Sequence, residues 1–181
     1  MRPNRGAGGS GAARVADQRG LECLQAQGED LVVQEFVSSP EYSIDVLSDF
    51  DAQPLQAVSR RRVQIRAGES SVSRVERRPG LEAAAMRLCA AIGVVGHAVV
   101  QAFDDERSGP RFIEVNPRFG GASNLSIAAG LDSPARLLAL LGGDPSARAA
   151  RPIRDSLSML RFSQDVLIDA ARLTYPSVEG A

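Results

Sequence analysis

Apolar and polar residues alternate along several short segments of the chain, which predicts β-strands. The clearest segment is 41–49, EYSIDVLSD, where Tyr42, Ile44 and Val46 fall on one face of a strand. β-Favouring residues also fill the segments on either side. We expect an antiparallel meander of three strands, formed by 31–37, 41–49 and 55–68.

The second half of the chain mixes helical and strand patterns. Residues 80–95, GLEAAAMRLCAAIGVV, place apolar side chains at helical spacing. A hairpin is predicted further on, and two short helices follow it. The expected elements are a helix at 17–28, a loop at 70–79, strands at 96–103 and 111–119 around a turn at 104–110, helices at 123–130 and 133–143, and one or two strands within 157–168. Antiparallel strands packed with a few helices indicate an α+β fold.

The composition narrows the possible chemistry. The 181 residues indicate one domain or two small lobes, and a net charge of −1 argues against nucleic acid or an acidic membrane as partner. All 21 basic residues are Arg, which excludes a Schiff-base lysine and the lysine of a Walker A loop. Any phosphate chemistry must therefore use arginine, backbone N–H groups or a metal ion.

Cysteine and histidine contribute little to a candidate site. Cys23 and Cys89 are far apart, so we expect two buried thiols rather than a disulfide or a zinc site. The single histidine, His97, is predicted to be a partly buried strand residue, which leaves a hydrolase triad with little support. No signal-peptide pattern and no apolar run of about 18 residues is present, so we expect a cytoplasmic protein.

Within 112–121, FIEVNPRFGG, polar residues occupy every second position from Glu114 to Arg118. Strand alternation puts Glu114 and Asn116 on one face, about 6–7 Å apart along the strand. The hairpin would bring Gln101 beside Glu114, and hard oxygen ligands of this kind suit Mg²⁺. Arg118 could then brace phosphate oxygens. The alternative is an exposed polar face of a half-solvated sheet.

Three further segments have candidate roles. The glycine-rich opening, 5–11, could direct backbone N–H groups at an anion or be a loose tail. The segment 60–62 consists of three consecutive arginines, and strand alternation places Arg60 and Arg62 on one face. These two arginines could form a phosphate clamp or part of a nucleic-acid patch. A third segment, 34–37 with Glu41, could form a connector that contacts adenine and ribose.

In this order, the segments resemble the ATP-grasp superfamily, in the branch of the carbamoyl-phosphate synthase large subunit and related carboxylate–amine ligases. The resemblance covers roughly residues 1–145, and Glu-x-Asn-x-Arg followed by Gly-Gly is its most specific part. The segments that carry it are RPNRGAGGSGAARV, LVVQEFVSSPEYSIDVLSD, RRRVQIRAGES, GHAVVQAF and FIEVNPRFGGASNLSIAAGLDSP. It implies an ATP-grasp fold of antiparallel sheet lobes packed with helices.

The resemblance also implies roles for individual residues, with ATP and Mg²⁺ (or Mn²⁺) as cofactors. The metal ligands would be Gln101, Glu114 and Asn116. Arg118 would bind phosphate, with Arg62 as a helper, and both are the candidate catalytic residues. The nucleotide contacts would come from Arg2, Gly8, Gly9, Ser10, Gly11, Glu35, Phe36, Val37 and Glu41.

The implied reaction is phosphorylation of a carboxylate by ATP, followed by attack of an amine on the acyl phosphate. We expect residues 1–37 to be the remainder of the glycine-loop lobe, 38–150 the lobe with the metal site, and 151–181 a C-terminal extension. Arg2 stands where the family has lysine, and the family's N-terminal part is missing. An upstream-encoded chain is one possible partner, and a non-catalytic nucleotide-binding remnant or an interaction module is the alternative.

Overall fold

The computed structural model describes residues 2–3, 12–26, 31–66, 68–105 and 107–167. The strands are β1 (Arg2–Pro3), β2 (Leu31–Val32), β3 (Glu41–Ser48), β4 (Pro54–Arg66), β5 (Glu69–Val75), β6 (His97–Asp105), β7 (Gly109–Asn116) and β8 (Ser158–Leu160). The helices are α1 (Gln18–Gln25), α2 (Pro79–Ala91), α3 (Ser123–Ser126) and α4 (Ser133–Leu141), with a π-helical turn at Ile127–Leu131 and a 3-10 turn at Pro145–Arg148. No helix in these ranges is long and apolar enough to cross a membrane.

Six strands form one antiparallel sheet in the order β7–β6–β3–β4–β5–β8. On one face, Ile44 and Val100 pack against α2 in the first core cluster. On the opposite face, Leu47 and Val58 pack against Leu125 of α3 in the second core cluster. We call this second side the site face, because it also carries the polar residues described below.

Two predictions about strands are wrong. Only Leu31–Val32 of the segment 31–37 is a strand, and it pairs with β1 in a separate two-stranded sheet instead of joining the meander. The segment 70–79, expected to be a loop, contains most of β5. The serines of this segment suggested a loop, but Ser73 is fully buried and its hydroxyl donates to Ser70 Oγ at 2.8 Å.

Helix α2 follows from its sequence. Pro79 lies at the start of the helix and Glu82 in its first turn, both favourable at an N-terminus. Cys89 is buried in the core cluster, and burial raises the pKa of its thiol to about 11. Cys23, in α1, is exposed, so the prediction of two buried thiols is wrong for that residue.

The chain after β7 covers part of the site face. Helix α3 continues into the π-helical turn, where Gly130 adopts φ 119°, a conformation that favours glycine. The backbone then returns, and Arg154 N donates to Ala129 O at 2.8 Å. Ile153 and Met159 pack against the second core cluster, so the segment around β8 is joined to the sheet.

Candidate functional site

A row of polar side chains crosses the site face from β4 to β7. The predicted hairpin is confirmed, because Gln101 lies directly opposite Glu114 in the β6–β7 pairing. Gln101 Nε2 donates to Glu114 Oε1 at 2.5 Å, and Asn116 Nδ2 donates to the same oxygen at 2.8 Å. On the other side of Gln101, Arg62 donates to Gln101 Oε1 and, at 2.7 Å, to Glu41 Oε1. We call these five residues the polar row.

Arg62 supplies the positive charge of the polar row, and its side chain is only 6% exposed. Its Nη2 donates to Gly68 O at 2.7 Å, while its Nε has no partner among the described residues. The alternation predicted for 60–62 is confirmed, since the strand pairing puts Arg61 on the opposite face. A buried guanidinium with one unused N–H can donate a hydrogen bond to a further oxygen of a ligand.

The charge on Glu41 is disfavoured by its surroundings. Burial raises the pKa of this carboxyl above its usual value, and the nearby charge of Glu114 adds to the rise, although Arg62 opposes it. The carboxylates of Glu41 and Glu114 therefore lie close enough to repel each other. A cation near them would relieve that repulsion.

The oxygen donors of the polar row fit a magnesium ion. Glu114 offers a carboxylate, and the amide of Asn116 can present its oxygen after rotation, since the N and O ends of an amide are nearly equivalent in shape. The amide oxygen of Gln101 accepts from Arg62 and would have to leave it to reach a metal ion. The described residues hold no group of three or more His, Cys, Asp or Glu suited to a metal. Mg²⁺ does not require such a cage, because it is usually held by one or two carboxylates with water and phosphate.

Arg118 lies just beyond the end of β7 and is exposed. Its backbone N–H donates to Asn116 O at 2.8 Å, and its Nη1 donates to Phe119 O at 3.1 Å. Within the described part of the chain no carboxylate pairs with this guanidinium. Arg118 therefore sits beside the polar row, at a turn next to Asn116, without being hydrogen-bonded into it.

The turn that carries Arg118 rests on a buried polar cluster that the sequence did not reveal. The ring of Phe119 stacks on His97 with centroids 4.2 Å apart. Nε2 of His97 lies 3.1 Å from Asp45 Oδ1, and Ser123 Oγ donates to the same oxygen at 2.5 Å. Arg60 Nε donates to the other oxygen of Asp45 at 2.5 Å.

Asp45 is the centre of this cluster and is fully buried. Burial alone would raise the pKa of Asp45, but Arg60 and His97 outweigh it and hold that pKa well below its usual range. One signal in the sequence could have indicated the cluster. Strand alternation places Asp45, Arg60 and His97 on one face once the pairing of β3, β4 and β6 is known.

The predicted connector, 34–37, precedes Glu41 in the chain and borders the edge strand β7. Glu35 is 3.7 Å from the guanidinium of Arg111 on β7, and the guanidinium of Arg14 lies over the Phe36 ring at 4.2 Å. Val37 is partly buried in an irregular segment. None of these contacts reaches the metal-ligand candidates.

Several predicted nucleotide contacts fall outside the described residues. These are Gly8, Gly9, Ser10 and Gly11 of the glycine-rich opening. The backbone of Arg2 pairs with Val32, but its side chain is not described. Among the predicted residues that are described, the structure joins Glu41, Arg62, Gln101, Glu114 and Asn116, places Arg118 beside them, and leaves Glu35, Phe36 and Val37 separate.

The sheet with its covering helices and its polar row defines an ATP-grasp fold. Two solved structures share it. Biotin carboxylase from Campylobacter jejuni, solved as a β-γ-ATP complex, matches with a TM-score of 0.54 and 17% identity over 76% of this chain. Pyruvate carboxylase T882A from Rhizobium etli, crystallized without acetyl coenzyme-A, matches with a TM-score of 0.53 and 22% identity over 72% of the chain.

The chain belongs to the family described as ATP-grasp in the biosynthetic pathway with Ter operon, which matches residues 27–164. A search of curated proteins found no match. The chain spans 33% of the biotin carboxylase and 14% of the pyruvate carboxylase. At this level of identity those two structures establish the fold, and the predicted family resemblance is confirmed by the family match.

Proposed function

We propose that this chain binds Mg²⁺ (or Mn²⁺) and ATP at the polar row and is the ATP-binding domain of a carboxylate–amine ligase. The observation that carries the proposal is that Gln101 and Asn116 both donate to one carboxylate oxygen of Glu114. The buried guanidinium of Arg62 lies next to them and contacts Gln101. Membership of the ATP-grasp family supports the nucleotide as ligand.

Each predicted residue has a defined task in this proposal. Gln101, Glu114 and Asn116 would hold the metal ion, which neutralises charge on the ATP phosphates when it is bound. Arg62 and Arg118 would bind phosphate oxygens through charge-assisted hydrogen bonds.

The remaining contacts would hold the nucleoside and cover the phosphates. The backbone of 35–37 would contact adenine, and Glu41 the ribose. The loop of Gly8, Gly9, Ser10 and Gly11, with Arg2, would cover the phosphates.

The reaction we propose proceeds through an acyl phosphate. A carboxylate oxygen of the substrate attacks the γ-phosphorus of ATP, and ADP leaves. An amine nitrogen then attacks the acyl carbon, inorganic phosphate leaves, and the amine loses a proton. Phosphoryl transfer of this kind depends mainly on positioning and charge neutralisation, which the arginines of the site can supply without a histidine nucleophile.

Nucleotide titration with and without Mg²⁺ tests the binding site. We expect Glu114→Gln to weaken Mg·ATP binding about tenfold or more, because the carboxylate that would hold the metal is lost. Asp51→Asn is the matched control, since Asp51 lies on an exposed turn at 78% side-chain exposure and loses the same charge. Binding that needs no metal and is equal in both variants would reject the site.

A non-catalytic nucleotide-binding domain is the second candidate. Hydroxylamine captures acyl phosphates as hydroxamates, so the chain can be tested with Mg·ATP, hydroxylamine and a panel of small carboxylic acids. Hydroxamate formation supports the ligase. Mg·ATP binding without any hydroxamate or phosphate release across the panel supports the second candidate.

A further inference from the structure

Arg161 reaches the site face from the C-terminal segment. Strand β8 pairs with β5, with Met159 opposite Ser73, and Arg161 N donates to Ser71 O at 2.8 Å. Met159 packs against the second core cluster on the site face. Because side chains alternate along a strand, Arg161, two residues further on, extends over the same face.

The guanidinium of Arg161 lies against the Gly-Gly turn that follows Arg118. Its Nη1 is only 3.0 Å from the position that a Cβ on Gly121 would occupy. The neighbouring Gly120 lies on the sheet, where a Cβ would be 3.1 Å from Val99 Cγ2. The turn therefore lies between Val99 of the sheet on one side and the Arg161 guanidinium on the other.

The only charge partner of Arg161 among the described residues is Glu69, whose Oε2 lies 2.7 Å from Nη1. The Arg161 side chain is 40% exposed and that of Glu69 is 67% exposed. An ion pair this exposed contributes little to stability, because water competes for both partners. The guanidinium can therefore exchange Glu69 for another anion at small cost.

Arg161 also lies between the β4–β5 connection, which contacts Arg62, and the turn that carries Arg118. Glu69 directly follows Gly68, whose carbonyl accepts from Arg62 at 2.7 Å. Gly121 is three residues from Arg118 in the same turn. Arg161 thus extends the row of cations from Arg62 toward the turn of Arg118, on a segment outside the motifs that carry the family resemblance.

We propose that Arg161 binds an oxyanion of a ligand at this site, either a phosphate or a carboxylate, after releasing Glu69. The planar guanidinium presents two parallel N–H groups, which match both kinds of anion. The proposal rests on the proposed function for the position of the nucleotide. The anion site itself does not depend on the proposed function, so orthophosphate alone can test the role of Arg161.

The experiment measures the dissociation constant of orthophosphate for four forms of the 181-residue chain. We expect Arg161→Gln to weaken binding about tenfold, the loss of roughly one charged hydrogen bond. Glu69→Gln should strengthen binding, because the competing carboxylate is gone. Arg74→Gln is the matched control, since Arg74 loses the same charge on the opposite face of β5. Circular dichroism and thermal unfolding of each variant establish that it is folded.

Mg·ATP and Mg·ADP distinguish the sources of the anion. Weaker Mg·ATP binding by Arg161→Gln, with unchanged Mg·ADP binding, assigns Arg161 to the terminal phosphate. Unchanged binding of both nucleotides, together with weaker orthophosphate binding, assigns it to the anion of the second substrate. Equal orthophosphate affinity in Arg161→Gln and Arg74→Gln would overturn the proposal. Loss of Mg-dependent binding only in Glu114→Gln is a separate result that concerns the proposed function.

Discussion

At the scale of single residues, the buried carboxylate of Asp45 carries the strongest prediction about stability. Asp45→Asn keeps the size of the side chain but leaves the charge of Arg60, which is 1% exposed, without its carboxylate. Breaking a buried ion pair in this way destabilises a protein by about 3–5 kcal/mol. Urea unfolding at pH 7 measures the change, with Asp51→Asn as control. A loss below about 1 kcal/mol would contradict the role of the cluster.

The same residue gives a prediction about pH. The pKa of Asp45 is lowered in the folded state, so its contribution to stability is present above the ordinary pKa of about 3.9 and is lost as the pH falls through the folded value. The difference in unfolding free energy between the wild type and Asp45→Asn should therefore stay constant above about pH 5 and shrink as the pH falls below about 4 toward 2. Urea titrations across that range would show it. A difference that stays constant would mean that Asp45 is not charged in the fold.

The residues of the site were predictable to different degrees. Alternation on a hairpin was enough to place Gln101 beside Glu114, because the pairing of two neighbouring strands depends on a short turn. It could not place Arg161, since the contact of β8 with β5 joins segments about 85 residues apart. No pattern in the sequence indicates that contact.

At the scale of elements, the π-helical turn after α3 depends on one glycine. A Cβ on Gly130 would lie 2.5 Å from Pro152 O, a backbone atom, and φ is 119° there. We expect Gly130→Ala to reduce stability by about 2 kcal/mol or more, because both the conformation and the close backbone contact forbid a side chain. Chemical denaturation measures it.

The first turn of α2 offers the control for that substitution. A Cβ added at Gly80 would have no heavy atom within 4 Å, so Gly80→Ala should be neutral or stabilise the protein by up to about 1 kcal/mol. Equal effects of the two substitutions would show that the turn at Gly130 is not as tight as the geometry requires.

Two elements with a strong periodic pattern, β3 and α2, were predicted correctly, and two segments without one, 31–37 and 70–79, were not. Strand β3 alternates cleanly, and α2 repeats its apolar residues at helical spacing. The segment 31–37 is rich in β-favouring residues, yet most of it forms no strand, and Phe36 is 58% exposed. Propensity without a partner strand does not make a sheet. Strand β5 shows the reverse, because pairing on both sides overrides its weak propensity.

At the scale of the whole molecule, the segment from 151 onward decides how far the lobe extends. The sequence places a boundary at 150 and predicts an extension beyond it. The structure shows contacts across that point, since Gln56 Nε2 donates to Arg151 O at 2.7 Å and Arg151 N donates to Gln56 Oε1 at 3.0 Å. Strand β8 also covers the edge of β5. These contacts argue that the described part of the segment belongs to the lobe.

Two truncations test this directly. A chain that ends at Ala150 loses β8 together with the packing of Ile153 and Met159 on the second core cluster, and it exposes the edge of β5. We expect it to lose at least about 3 kcal/mol of unfolding free energy and to aggregate more readily, because buried apolar side chains each contribute about 1–3 kcal/mol and an open edge strand can pair with another chain. A chain that ends at Leu167 keeps every described contact and should match the full chain within about 0.5 kcal/mol in urea unfolding. If the shorter chain unfolded at the same urea concentration as the longer one, the segment would be an independent extension, and Arg161 would lose the fixed position that its proposed role requires.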